Sequence, residues 1–195
     1  MLRKTNSDDH IPFGRRKTAV TVIAVIAIFI TITAVTWFSA AEASDGGNPG
    51  TPSYRDTVGN LVYAISHADA RSLFQLVPAE MIDSYLLEEG IEKRDLMEQV
   101  QQELELAQEE LLTTYGEEWN ITHEILDARQ ILEDELLQLQ EEYRELELEI
   151  SEALVVDLAL MVESDSTAED ANAQILLLKI GGSWYITGEF LNILN

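Results

Sequence analysis

The pattern of apolar positions separates one uninterrupted apolar segment from a longer region in which apolar and polar residues alternate. Residues 19–38 read AVTVIAVIAIFITITAVTWF and contain no charged residue, proline or glycine. A helix of this length spans about 30 Å, which matches the hydrocarbon core of a bilayer. The segment therefore predicts a transmembrane helix.

Charged and aromatic residues at the ends of this segment predict its orientation. The first 18 residues carry five basic side chains and two acidic ones. Basic residues that flank a first membrane segment favour the cytoplasmic side, and Trp37 and Phe38 at the other end suit the membrane interface. We expect a cytoplasmic region 1–18, a single-pass signal anchor 19–38 in the cell membrane, and an extracytoplasmic remainder. The Ala-x-Ala pattern that ends at Ala43 leaves open cleavage after this residue, which would release a secreted domain.

The residues that follow the apolar segment predict a linker and one domain. Residues 39–53 are small and polar and become rich in glycine and proline, which is typical of a flexible linker. Residues 54–195 are long enough to form one hydrophobic core.

The first half of this domain shows the spacing of amphipathic helices, with apolar residues three or four positions apart. A first helix is predicted before Asp69, which is a suitable N-cap for a helix that begins at Ala70. Pro78 opens a further helix that Gly90 ends. The clearest helix covers roughly residues 91–115 and has a face filled with Glu and Gln.

The second half of the domain changes to the period of two that is typical of strands. Residues 119–125 alternate as a half-buried strand. A further amphipathic helix follows, and its apolar stripe is formed by Leu132, Leu136, Leu139 and Tyr143. Apolar residues between 146 and 162 fall on one parity, interrupted only at Glu152. Residues 163–170 then predict a polar hairpin loop, residues 173–180 a central strand, and Gly181–Gly182 a tight turn into a last strand.

Helices that precede strands predict an α+β fold. We expect the helices to pack on one face of a curved antiparallel sheet of about four strands, with one helix inserted between strands.

Charge and cysteine content exclude several classes of function. From residue 44 onward the chain has 7 Lys and Arg against 33 Asp and Glu, so this part carries 7 − 33 = −26, and the whole chain carries −24. Such a surface repels nucleic acids and anionic lipids. The chain has no cysteine, which excludes a lipoprotein anchor, disulfides, thiolate catalysis and cysteine-based metal sites.

A helix, then Ala68-Asp69-Ala70 opening the next helix, and a final hairpin with the residues LKIGGSWYI (178–186) resemble the nuclear transport factor 2-like superfamily of cone-shaped α+β domains. More narrowly, the chain resembles its membrane-anchored bacterial members that lie outside the membrane. The resemblance covers about residues 54–188. It implies a fold with a possible pocket, but no particular chemistry, because the superfamily includes enzymes, small-ligand binders and assembly modules.

Enzymes that resemble this fold use an Asp or a His–Asp pair inside the cone. His123 shares its parity with apolar residues of the first predicted strand and is the one weak catalytic candidate, as a general base. Asp157 lies on the parity opposite the main apolar run, which predicts a surface carboxylate. The three histidines have no ligand-like spacing, and no calcium loop, phosphate loop or nucleophile elbow is present. We therefore expect no catalytic set, metal site or cofactor.

Three hypotheses for function follow. The first is a membrane-anchored extracytoplasmic module that binds a protein or a small ligand without catalysis. The second is a receptor or enzyme that uses the cavity of the cone, with His123 inside. The third is a helical scaffold in which the acidic helix of residues 91–115 pairs with a partner in a membrane-associated complex.

Overall fold

A computed structural model of the chain describes residues 49–165 and 167–187. The expected cytoplasmic region 1–18, the membrane helix 19–38, the cleavage point after Ala43 and most of the expected linker lie outside these residues. No helix within the described ranges is long and apolar enough to cross a membrane.

The described residues form the α+β fold that the sequence predicts, with helices followed by an antiparallel sheet. The helices are α1 Tyr54–Ser66, α2 Ala70–Phe74, α3 Ala79–Glu89, α4 Lys93–Tyr115 and α5 Glu133–Glu142, with a single 3-10 turn at Arg144–Leu146. The strands are β1 Trp119–Gln130, β2 Ile150–Ser164, β3 Ala168–Ile180 and β4 Ser183–Ile186.

The four strands form one antiparallel sheet in the order β1-β2-β3-β4, so each strand pairs with its neighbour in sequence. The predicted inserted helix is confirmed, because α5 connects β1 to β2. Gly181 and Gly182, with φ of 58° and 86°, form the two-residue turn between β3 and β4.

One face of the sheet, called here the inner face, is covered by α1 and α4. Val58 and Leu61 of α1 pack against Val156, Leu158 and Leu177 of the two central strands. Further along the same face, helix α4 contributes a second group of contacts in which Leu111 and Tyr115 pack with residues of α1, β1 and β2. The apolar stripe of α4 is therefore used within its own domain.

The opposite face of the sheet, called here the outer face, is also covered at one end, and the prediction that helices pack on only one face is wrong. Met81 of α3 and Leu136 and Leu139 of α5 pack with Ala153 and Leu178. These two strand residues pair with each other and point away from the inner face. The sequence does not reveal this second layer because the stripes of α3 and α5 give no information about which face of the sheet they contact.

The chain passes from the inner side to the outer side of the sheet around β4. The carbonyl oxygen of Leu76 accepts a hydrogen bond from Ile186 N at 2.8 Å, and Thr51 pairs with Trp184 through N–O distances of 3.1 and 2.7 Å. Gly50 lies so close to Tyr185 that an added Cβ would stand 2.6 Å from its Cζ atom. The last residues of the expected linker 39–53 are therefore packed against the edge of the sheet.

An irregularity near the start of β2 explains why Glu152 interrupts the apolar run. The register shifts between Ile150 and Glu152, so that Ile150 packs on the outer face, whereas the later residues of the same parity, such as Val156, pack on the inner face. Glu152 itself pairs with Lys179, whose Nζ lies 2.6 Å from Glu152 Oε1. Residues of one parity in the sequence of β2 therefore lie on two different faces of the sheet.

The predicted hairpin loop at residues 163–170 is mostly strand. β2 continues to Ser164 and β3 begins at Ala168, with Glu163 paired to Ala168. Backbone pairing extends the hairpin beyond the apolar core, and its polar side chains are compatible with strands because most of them are solvent-exposed.

Candidate functional site

His123, the catalytic candidate from the sequence, lies on an edge strand and is exposed. Its register partner is Leu160, which faces the inner side and packs with Leu111 of α4. The backbone therefore has the predicted orientation, but the side chain is in solvent rather than within the core. Sequence parity identifies the face of a strand, but not whether a helix covers the strand at that position.

Asp157 lies on the outer face and is half-buried, and it accepts a hydrogen bond from Gln174 Nε2 at 2.6 Å. Because His123 belongs to the inner side and Asp157 to the outer side, the sheet itself separates them. The two residues therefore do not form a His–Asp pair. The prediction that Asp157 is a surface carboxylate holds for its face, although the residue is half-buried.

The inner side of the sheet is packed with apolar side chains where a cone-shaped fold would have a pocket. Leu158, Leu177, Leu76 and Ile186 are each no more than 2% exposed. Within the described ranges, no buried side-chain nitrogen or oxygen lacks a hydrogen-bond partner, and no group of three or more His, Asp or Glu side chains could hold a metal ion. The buried polar side chains in this part of the chain are therefore satisfied by hydrogen bonds within the domain.

A small cleft lies on the side of the domain where the chain enters the fold. Its volume is about 210 Å³, and it is lined by neutral residues of the entering segment, α1 and the region around α2: Pro49, Gly50, Thr51, Asn60, Tyr63, Ser72, Gln75 and Leu76. Tyr63 is exposed, and its ring stacks on that of His67 with centroids 4.0 Å apart. The volume is below the roughly 300–1,000 Å³ of ordinary small-molecule sites.

The other notable surface is the part of the outer face that α3 and α5 leave uncovered. We call it the acidic face and define it by five carboxylates that surround two apolar residues: Glu124, Asp127, Asp157, Glu163 and Asp170 around Ala159 and Met161. The strand register places all seven on one side of β1, β2 and β3. Cross-strand neighbours on one face have Cβ atoms about 4.5–5.5 Å apart, so this is one continuous surface.

The electrostatics of the acidic face are unusual for a sheet. Asp127 and Asp157 are direct cross-strand partners, and a like-charge pair at this position is destabilising. None of the five carboxylates forms an ion pair with a described residue. Asp157 is held by Gln174, and Asp127 accepts a hydrogen bond from the N–H of Ala128 at 2.9 Å. Arg129, opposite Val155, lies at the border with the end that α5 covers.

Met161 lies near the middle of the acidic face and is 40% exposed. Its register partners are Thr122 on β1 and Asp170 on β3, and the small residue Ala159 lies next to it along β2 on the same face. The acidic face therefore has a small apolar centre within a rim of carboxylates, which is the arrangement typical of a protein contact surface.

Comparison of the chain with protein-family models, with curated proteins and with solved structures found no match.

The acidic face could have been found in the sequence only in part. The alternation of β2 indicates which of its residues point away from the core, and Asp157 was assigned to that face on this basis. In β1, simple alternation would place Asp127 on the side of Ile125, and it reaches the outer face only because the register shifts between these two residues. The carboxylates come from three strands, however, and their proximity depends on cross-strand register. Part of this register involves residues 163–170, which the sequence predicts as a loop.

Proposed function

We propose that the chain is a membrane-anchored, extracytoplasmic module that binds another molecule through its surface and performs no catalysis. The observation that carries this proposal is the separation of His123 and Asp157 on opposite faces of the sheet. The apolar packing of the inner side supports it further, because that is where a cone-shaped enzyme would hold its substrate.

The proposed membrane location and orientation of this module rest on the sequence of residues 1–43. The apolar segment 19–38 has the length and composition of a membrane span, and the basic residues before it favour a cytoplasmic N-terminus. The high negative charge of the rest of the chain suits a domain that stays in solution next to an anionic membrane surface.

We also propose that the domain belongs to the nuclear transport factor 2-like superfamily. Helices that precede an antiparallel sheet and a short Gly-Gly hairpin at its end support it. The long Glu-rich helix α4 and the inserted helix α5 depart from the simplest form of such a cone. The packing of α3 and α5 at one end of the outer face leaves the rest of that face uncovered by described helices.

The scaffold hypothesis depends on a free apolar stripe on the acidic helix. In α4 that stripe comprises Leu96, Leu104, Ala107, Leu111 and Tyr115, all of which are buried within the domain. The stripe is therefore occupied, and a surface module accounts better for the arrangement than a helix that pairs with a partner.

Because the chain has no cysteine, a single introduced cysteine can be labelled specifically to test membrane topology. We would introduce Ser7→Cys before the apolar segment or Leu106→Cys on α4, where the native leucine is 58% exposed, and label intact bacterial cells with a membrane-impermeant maleimide. We expect Leu106→Cys to be labelled in intact cells and Ser7→Cys only after permeabilisation, with the full chain in the membrane fraction.

Labelling of Ser7→Cys alone in intact cells would overturn the proposed orientation. Recovery of a shortened chain in the soluble fraction would show that the segment is cleaved and would replace the anchor with a secreted domain. The cysteine-free parent is the control for unspecific labelling.

A further inference from the structure

The part of the sheet that α3 and α5 leave uncovered suggests what the proposed module binds. We propose that the acidic face is a docking surface for a protein segment rich in lysine and arginine. This inference rests on the proposed function, since it names the partner class and the surface of the same binding module.

The first reason is that the acidic face retains an unfavourable charge arrangement. Asp127 and Asp157 are cross-strand partners, and Glu124, Glu163 and Asp170 add to the same negative surface. Elsewhere on the sheet a carboxylate has a basic cross-strand partner, because Lys179 on β3 forms an ion pair with Glu152 on β2. A partner that brings basic side chains would remove the repulsion on the acidic face.

The second reason is that the face is fixed before a partner arrives. Most of its residues lie where the strand register is continuous, over Thr122–Ile125, Asp157–Glu163 and Ala168–Gln174. Asp127 follows a register shift next to Ile125, and its carboxylate accepts a hydrogen bond from Ala128 N. Asp157 is further held by Gln174 at 2.6 Å. A surface that is already ordered loses little conformational entropy on binding.

The third reason favours a protein segment over a metal ion. Met161 and Ala159 provide an apolar centre that a metal ion would not use, whereas the aliphatic stems of lysine and arginine pack well on such a surface. Methionine is also common at surfaces that bind peptides, because its flexible side chain adapts to a partner.

The test uses the full chain in zwitterionic nanodiscs with a synthetic peptide of alternating lysine and threonine as the probe, and a peptide of alternating glutamate and threonine as its control. A single cysteine, Met161→Cys, would report coverage of the acidic face by its rate of maleimide labelling. Leu106→Cys on α4 is the matched site away from the face. We expect the basic peptide to slow labelling at position 161 at least severalfold at low salt and to leave position 106 unchanged.

Affinity gives a second readout. The variant Glu124→Gln, Asp127→Asn, Glu163→Gln neutralises three exposed carboxylates of the acidic face. Its control, Glu88→Gln, Glu92→Gln, Glu109→Gln, removes the same charge from exposed positions on or beside α3 and α4. We expect about a tenfold loss of affinity for the basic peptide in the first variant and less than about threefold in the second, measured by fluorescence anisotropy.

Equal losses in the two variants would overturn the proposal, since binding would then follow total charge alone. Slow labelling at position 161 without peptide would also overturn it, because the chain's own residues would then cover the face. Protection by spermine or Ca²⁺ equal to that by the peptide would replace the protein segment with a small cation. Correct membrane topology combined with any of these results would leave the proposed module intact and reject only this partner.

Discussion

The inner and outer faces of the sheet carry the same strands but have different environments. On the inner face, α1 and α4 cover β2 and β3, and residues such as Leu177 are fully buried. On the outer face, α3 and α5 cover one end and leave the carboxylates around Met161 in contact with solvent. The comparison separates stability from recognition: the inner face holds the domain together, and the outer face offers the surface that we propose for binding.

The largest expected effect tests the inner face. Leu177→Ala removes a fully buried side chain from the centre of β3, and we expect it to lower the free energy of unfolding by about 2–5 kcal/mol. Met161→Ala on the outer face is the matched change and should stay within about 1 kcal/mol of the parent, because its side chain is 40% exposed. Urea titration of the full chain in micelles, followed by circular dichroism, measures both. Equal losses would contradict the division between the faces.

The second prediction concerns the edge where the chain passes between the two sides. Gly50 has φ of +56°, and an added Cβ would stand 2.6 Å from Cζ and 2.8 Å from Cε1 of Tyr185. We expect Gly50→Ala to cost about 1–3 kcal/mol. Gly59→Ala is the matched control, because a Cβ there meets nothing within 4 Å and the residue lies inside α1.

The control should be stabilising by about 0.5–1 kcal/mol, since alanine favours a helix more than glycine does. The same unfolding measurement compares the two variants. A Gly50→Ala protein as stable as the parent would show that Gly50 and Thr51 are not packed on the edge of the sheet.

A third, smaller effect tests how the helices on the inner side are held. The Asp69 carboxylate accepts hydrogen bonds from Ser72 Oγ at 2.6 Å and from Ser72 N at 3.0 Å, and these bonds lower the pKa of Asp69 below its usual 3.8. Asp69→Ala should cost about 1 kcal/mol at neutral pH because α2 loses its cap.

The pH dependence of this effect follows from the direction of the pKa shift. A carboxyl with a lowered pKa in the folded state stabilises the fold above the unfolded value of 3.8, and this contribution is lost as the pH falls through the folded pKa. The difference in unfolding free energy between the parent and Asp69→Asn, which keeps a cap but does not titrate, should therefore shrink below about pH 4. A constant difference down to pH 2 would contradict the assignment.

The smallest predicted effect tests the outer face. Asp127→Asn removes one charge from the pair with Asp157 and keeps an oxygen that can accept the hydrogen bond from Ala128 N. We expect stabilisation by a few tenths of a kcal/mol at low ionic strength, and less as salt screens the repulsion. Glu109→Gln on α4 is the control for removal of a charge alone. A loss of stability at low salt would mean that the two carboxylates do not repel each other in the folded chain.

Much of the fold was predictable because the signals for it are local. Asp69 caps α2, Gly90 ends α3 in the left-handed conformation, and the period of two around Ile121 identifies β1. Each of these features depends on residues that are a few positions apart in the sequence. Capping residues and apolar periodicity therefore predict them well.

The candidate site was less predictable because it depends on contacts between distant segments. His123 was placed on the correct side of its strand, but whether it would be covered depended on where α1 and α4 lie. The register shift next to Glu152 and the continuation of the hairpin to Ser164 both arise from pairing with β3, which no local window contains.

The sequence by itself determined the order of helices and strands, the strong negative charge and the absence of cysteine, and it predicts an anchor at residues 19–38. The tertiary structure alone decided that helices cover both faces of the sheet, that His123 and Asp157 lie on opposite sides, and that carboxylates from three strands form one surface. The physical reason is that composition and periodicity are properties of neighbouring residues. Burial and cross-strand proximity, by contrast, are set by the packing of elements that lie far apart in the chain.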